Sequence, residues 1–377
     1  MKELKGNSAV PKNKIMPLEY VSKIKPYVPG KPVKELEREL GIKGSIKLAS
    51  NENPLGPSKK AVEALRKFFQ NGHELSRYPD SNGYYLKSAI SERLNVDSDE
   101  IILGNGSNEL IDIAVRTFVG PGDEAVMATP SFVAYSIAVK SVGGIIKEVP
   151  LLDYRHDLAG IADTITDRTK IIFIANPNNP TGTINNRDEF ERFMNRVPDG
   201  VLVIVDEAYY EYVMDSEYPD ILNYFAGGRD ILILRTFSKA YGLAGLRIGY
   251  GIARKDIITE MNKIRGPFNT NTLSQLAAMH ALTDDEHLKK SIEINEQGKK
   301  FLYRELDSMG ITYVPTEANF VYMPLNTDSK NIYEALLRMG VIIRTVGPRE
   351  IRVTIGLPEE NERFIEALKI VIKSWSN

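Results

Sequence analysis

The segment Thr236-Phe237-Ser238-Lys239-Ala240-Tyr241-Gly242-Leu243-Ala244-Gly245-Leu246-Arg247 sets one lysine beside a serine and near an arginine, in a stretch rich in small residues. A primary amine condenses with an aldehyde, while a hydroxyl and a guanidinium hold a phosphate. Lys239, Ser238 and Arg247 are therefore candidates for anchoring an aldehyde cofactor that carries a phosphate. A Ser-Lys pair alone is also what an ordinary surface loop contains, so the weight falls on the motifs upstream.

Five further motifs place reactive groups at the ends of apolar runs. Gly104-Asn105-Gly106-Ser107-Asn108-Glu109 precedes a helical pattern. Its glycines admit close backbone approach, and Gly106, Ser107 and Asn108 could offer N–H groups to a phosphate or simply cap the helix. Thr129-Pro130-Ser131-Phe132 puts an aromatic ring just past a strand, where Phe132 either stacks on a heterocycle or joins the core. Asn176-Pro177-Asn178-Asn179-Pro180-Thr181-Gly182 is a rigid turn in which Asn179 could donate to a phenolate oxygen, or serve the turn alone. Asp206-Glu207-Ala208-Tyr209 ends the most apolar run. There Asp206 could keep a ring nitrogen protonated, bind a metal or cap a helix, and Tyr209 could bond the same oxygen as Asn179. Arg344 and Arg352, near the C-terminus, form a pair able to grip an anion.

These groups need a scaffold that collects strand ends. Candidate strands cover residues 101–103, 124–127, 145–149, 170–174, 201–205, 231–234 and 247–252, separated by helical patterns. Several are apolar on both alternating faces, as expected of a mostly parallel sheet covered on both sides. The fold class is thus α/β: a three-layer αβα large domain with a mostly parallel seven-stranded sheet, plus a smaller α+β domain. Residues 1–47 are expected to form an arm and part of the small domain, 48–282 the large cofactor-binding domain, and 283–377 the small domain. Short strands at 311–314, 318–323, 341–344 and 351–355, and helices at 332–339 and 360–375, are expected in that last part. A chain of 377 residues, 42% hydrophobic, is long enough for two such cores.

Lys+Arg number 48 against Asp+Glu 50, so nothing draws the chain generally toward nucleic acid or anionic membranes. With no cysteine, disulfides, thiolate catalysis and cysteine-ligated metals are excluded, and no metal site is expected. The polar N-terminus and the lack of a long apolar run point to a cytoplasmic protein with no membrane association.

Taken together, the motifs resemble fold-type I pyridoxal-phosphate aminotransferases (the aspartate aminotransferase-like fold), and within them the histidinol-phosphate aminotransferase family. Pro26-Tyr27-Val28-Pro29-Gly30, Ser50-Asn51-Glu52-Asn53-Pro54, Arg77-Tyr78-Pro79-Asp80 and Arg352-Val353-Thr354-Ile355-Gly356 carry that resemblance over nearly the whole chain. It implies that Lys239 is the Schiff-base lysine and general acid/base and that Asp206 partners the pyridinium nitrogen. By the same likeness Tyr209 and Asn179 bind the ring oxygen, Phe132 stacks on the ring, and Gly106, Ser107, Asn108, Ser238 and Arg247 hold the phosphate. It further implies a homodimer with shared active sites, in which Tyr78 reaches the partner's cofactor, while Tyr27, Asn53, Arg344 and Arg352 face the substrate. The implied reaction exchanges the amino group between histidinol phosphate and 2-oxoglutarate, a step of histidine biosynthesis. An aromatic amino-acid aminotransferase shares every cofactor residue, and a decarboxylase of a phosphorylated amino acid is a third reading. A nicotinamide dehydrogenase is disfavoured because Gly104–Glu109 lacks the third glycine of the dinucleotide fingerprint.

Overall fold

Residues 15–27 and 30–373 are described by the structure, a computed structural model. Twelve strands occur among them. In chain order they are β1 (Ile46–Lys47), β2 (Ile101–Gly104), β3 (Glu124–Thr129), β4 (Ile145–Pro150), β5 (Thr169–Ala175), β6 (Leu202–Asp206), β7 (Ile231–Thr236), β8 (Gly249–Ile252), β9 (Phe320–Pro324), β10 (Val341–Ile342), β11 (Arg344–Gly347) and β12 (Glu350–Thr354). Seven of them form the central sheet, in the order β2-β8-β7-β6-β5-β3-β4. Every neighbouring pair is parallel except the two that involve β8.

The doubly apolar runs have the expected cause. In β5, Ile172 and Ile174 enter one core while Ile171, Phe173 and Ala175 enter the core on the opposite face. The neighbouring β6 and β7 divide in the same way: Val203, Val205, Ile231 and Ile233 on one side, Leu202, Ile204, Leu232 and Leu234 on the other. With side chains alternating across the pleat, a polar residue on either face would be buried without water. Each fully buried aliphatic side chain contributes roughly 1.5–3 kcal/mol of transfer free energy.

The reversal of β8 follows from the short link after β7. Only a single turn of 3-10 helix, Ala244–Leu246, lies between Thr236 and Gly249. A parallel return normally needs a crossover helix, so the chain turns back and pairs antiparallel, with Thr236 opposite Gly249. Ser238, Lys239 and Arg247 are thereby held at the same sheet edge. The strand expected at 247–252 begins two residues later because Arg247 adopts a left-handed conformation, φ 55°.

A second core gathers Leu48, Leu302, Leu306, Val321, Val353, Phe364 and Leu368. It lies against the three-stranded antiparallel sheet β11-β12-β9, and β1 and β10 form a separate parallel pair. The 24-residue helix Asp285–Ser308 spans both regions: Leu288 packs on the central-sheet core, and Leu302 and Leu306 lie in the second one. Residues 311–314 are not a strand; one bridge, Val314 to Tyr322, is all that forms. The run 341–344 is broken, so Arg344 opens β11 rather than ending β10. The last helix is Pro358–Lys373, and Trp375, like residues 1–14, Val28 and Pro29, lies outside the described residues. Among the described residues, no helix is long and apolar enough to cross a membrane.

Candidate active site

The carboxyl ends of β2, β3, β5, β6 and β7 open into one cavity of about 520 Å3. Open α/β sheets bind ligands at this edge, where helix N-termini and loop backbone are free of the ladder. Lys239 lines the cavity just beyond β7, with Nζ donating to the Ser50 carbonyl at 3.1 Å. Burial, reinforced by the Arg352 and Arg247 guanidiniums and opposed by Glu52 and Asp206, pushes its ammonium down to about 7. Near neutral pH a large share of this amine is therefore uncharged and nucleophilic.

Beside it, Ser107, Asn108, Ser238 and Arg247 line the same wall. Helix Ser107–Phe118 starts there with Gly106 as its N-cap and no side-chain cap. Of the two readings of this motif, side-chain capping is therefore not realised. Gly106 has φ 77°, a left-handed conformation that favours glycine, and a Cβ on it would crowd the Arg247 guanidinium that lies against the helix start. Arg247 Nη1 donates to Ser238 Oγ at 3.3 Å and to the Ala244 carbonyl at 3.0 Å. No carboxylate pairs with Arg247 among the described residues. An uncapped helix start, a hydroxyl and a guanidinium without a carboxylate partner together suit a dianion.

Across the cavity, the buried Asp206 accepts from Tyr135 Oη at 2.7 Å and from the Ala208 N–H at 3.1 Å. Burial raises its carboxyl above the usual range, against the Tyr135 hydrogen bond. Phe132 is half-buried at the cavity wall and meets Tyr135 edge-on, centroids 5.6 Å apart. The Asn176–Gly182 turn divides its amides between the fold and the cavity. Asn176 exchanges bonds with Asn185, and Asn178 is occupied by Ser131 and Thr181. Asn179 faces the cavity and accepts from Arg352 Nη1 at 2.5 Å.

Tyr209 also lines the cavity, and its hydroxyl accepts from Asn51 Nδ2 at 2.8 Å. Arg352 is 8% exposed. One Nη donates to the Ala49 carbonyl, Nε has no partner, and no carboxylate pairs with the group among the described residues. Burial lowers its pKa, with Arg344 adding to that and the Tyr209 side chain opposing it. Arg344 stands directly opposite it in the β11–β12 ladder and lies 5.2 Å from the Tyr27 ring centroid. Two like charges on facing positions repel unless an anion sits between them.

Three expected residues do not line this cavity: Gly106, which lies against the Arg247 guanidinium, Asn53 and Tyr78. Asn53 spends its amide on the Ala240 carbonyl and Ser291 Oγ, both at 2.8 Å, and its oxygen accepts from the Leu55 N–H. It ties the segment down, and Asn51, two positions earlier with φ 55°, takes the cavity-facing place. Tyr78 is 81% exposed and stacks on Phe268, away from the chain's own cavity. Sequence reasoning also missed Tyr135, three residues after Phe132 on helix Val133–Ser141. That spacing puts the two rings on one helix face, the single signal that could have found it.

A family model described as aminotransferase class I and II matches residues 43–368. The chain is 48% identical over 359 residues to a histidinol-phosphate aminotransferase of Moorella thermoacetica, covering 94% of this chain and 92% of that one. Its identity to a protein of the same name from Caldicellulosiruptor saccharolyticus is 44%, with 94% and 99% covered. The crystal structure of histidinol-phosphate aminotransferase from Sinorhizobium meliloti in complex with pyridoxal-5'-phosphate superposes with a TM-score of 0.88 at 28% identity, covering 98% of this chain and 99% of that one. The chain belongs to the class I and II aminotransferases and, among them, to the histidinol-phosphate aminotransferase family.

Proposed function

We propose that this protein transfers the amino group of histidinol phosphate to 2-oxoglutarate, yielding imidazole acetol phosphate and glutamate, with pyridoxal phosphate as cofactor. The observation that carries the reading is the juxtaposition, in one cavity, of a buried Arg352 without a carboxylate partner and a lysine whose ammonium is pushed down to about 7. The residues present fit the cofactor's phosphate. Ser107, Asn108, Ser238 and Arg247 would supply its donors, with glycine at position 106 leaving the Arg247 guanidinium uncrowded. Bound pyridoxal phosphate supplies an electron sink for the bonds of the substrate carbon that carries the amine.

Within that frame Lys239 Nζ would hold the cofactor's aldehyde carbon and would move the proton at the substrate carbon. Asp206 would hold the ring nitrogen and keep it protonated. Tyr209 and Asn179 offer polar groups to the ring oxygen, and Phe132 covers the ring face. Arg352 and Arg344 hold the anionic end of the substrate, a phosphate in one half-reaction and a carboxylate in the other. Tyr27 borders the same anion site through its contact with Arg344.

A homodimer with shared sites is part of this reading. Tyr78, Phe268, Tyr84 and Tyr85 are exposed aromatic side chains that a second copy could cover, and Tyr78 would then meet the partner's cofactor. Its large domain spans 48–282 and its small domain 283–377 plus part of 1–47, in a cytoplasmic enzyme. The test is a half-reaction without any 2-oxo acid, followed by the cofactor's absorbance. Conversion by histidinol phosphate at far lower concentration than by phenylalanine is expected. The reverse order moves the protein to aromatic amino acids, and release of carbon dioxide refutes transamination.

A further inference from the structure

Tyr135 is fully buried at the cavity wall, and its hydroxyl is turned to Asp206. Its ring is stacked on Phe173, centroids 4.5 Å apart and planes 9° from parallel, with Phe132 edge-on at 88°. The hydroxyl donates to Asp206 Oδ2 at 2.7 Å, while Oδ1 takes the Ala208 N–H. A phenylalanine would pack against the same two rings and spare a buried polar atom its desolvation, so packing alone does not call for tyrosine.

We propose that Tyr135 is a positioning residue of the reaction: its hydroxyl fixes the orientation of the Asp206 carboxylate and favours its charged form, so that Asp206 can hold the cofactor ring. The inference rests on the reading of Asp206 given above. Two fixed donors leave a buried carboxylate little freedom of rotation, and a hydrogen bond to the charged form opposes the neutralising effect of burial. Through Phe132 the same tyrosine also braces the residue that covers the ring face. Tyr135 thus ties the helix after β3 to β6 through its hydrogen bond and to β5 through its stack on Phe173.

The experiment is a double-mutant cycle on cofactor binding. Apoprotein is prepared for the wild type, Tyr135→Phe, Asp206→Asn and the double variant, and the Kd for pyridoxal phosphate is measured beside the melting temperature of each apoprotein. Tyr135→Phe is expected to weaken binding by about tenfold or more in the wild-type background, the scale of a hydrogen bond to a charged group, and by less than about twofold in the Asp206→Asn background. Equal factors in both backgrounds, or no change in the wild type, overturn the proposal. If Asp206→Asn alone leaves Kd unchanged, it is the reading of Asp206 that fails. Phe173→Leu, which loosens the stack and keeps the hydroxyl, is expected to lower the melting temperature with Kd within about twofold. A loss as large as that of Tyr135→Phe shows that ring packing carries the effect and refutes it. Should the Tyr135→Phe apoprotein melt below the assay temperature, the same cycle is read from the rate of cofactor loss from the loaded protein.

Discussion

Arg235 and Arg352 are both buried strand arginines, yet their surroundings are opposite. Arg235, on β7, donates to Glu207 at 2.8 Å, with the pair 4% and 0% exposed. Its guanidinium also lies 3.8 Å from the Tyr210 ring centroid, and Glu207 accepts a further bond from Tyr218. Arg352, on β12, donates only to neutral oxygens, of Asn179 and Ala49, has an orphan Nε, and lies 5.2 Å from the Phe320 ring centroid with no carboxylate beside it. The first region is closed upon itself. The second has the desolvation of a buried cation without the ion pair that would offset it. Structure tolerates that deficit where a ligand completes it, so the difference separates scaffold from site. His156 shows a third solution: burial pushes its imidazole down to about 4, with Asn178 opposing, so the group sheds its charge instead of pairing it.

The comparison breaks if the two regions respond alike to mutation. The largest effect is expected at the cavity lysine. Lys239→Ala should reduce turnover by at least about a thousandfold, within the range that acid–base groups supply, while the apoprotein's melting temperature stays near the wild type. Substantial retained turnover in a steady-state assay would sink the lysine's role. Arg235→Leu should cost about 3–5 kcal/mol in chemical denaturation, because Glu207 is left buried and charged. A loss below about 1 kcal/mol would mean that the pair is not the closed unit described here.

Arg352→Gln should act the other way round. Unfolding stability is expected to hold or rise, since an uncompensated charge is removed, while kcat/KM for the anionic substrate falls about a hundredfold and bound cofactor is retained. Loss of cofactor instead would place this arginine in the wrong half of the cavity. The smallest effect concerns His156. Its folded pKa lies below the unfolded value of about 6.5, so its contribution is complete above that pH and is lost as pH falls toward about 4. The loss amounts to about 3 kcal/mol at most. Denaturant titrations of His156→Gln against wild type at pH 7 and pH 4.5 should show the wild type losing more, and parallel losses would refute it.

Much of this was legible in the chain. The central strands were readable because runs such as Val201–Val205 are apolar on both faces, which only a covered sheet satisfies. That Lys239, Asp206, Asn179 and Phe132 line one cavity follows from each lying just past such a run. The misplaced residue, Asn53, failed for a local reason: Asn51 and Asn53 are equivalent in composition, and a left-handed turn at Asn51 decides which amide faces the cavity. Tyr135 was missed because nothing local reveals a hydroxyl's partner 71 positions away.

The amino-acid sequence by itself therefore determined the layered α/β scaffold, the order of the strand-end motifs and the family, since hydrophobic period and short motifs are local properties. Only the tertiary structure decided which charges are paired. Arg235 and Arg352 read alike as arginines within apolar strands, and their difference arises from contacts across 28 and 173 positions of chain, set by sheet order and by how the second core packs on the first. The energy of a buried charge depends on its neighbours in space, and those are fixed by packing.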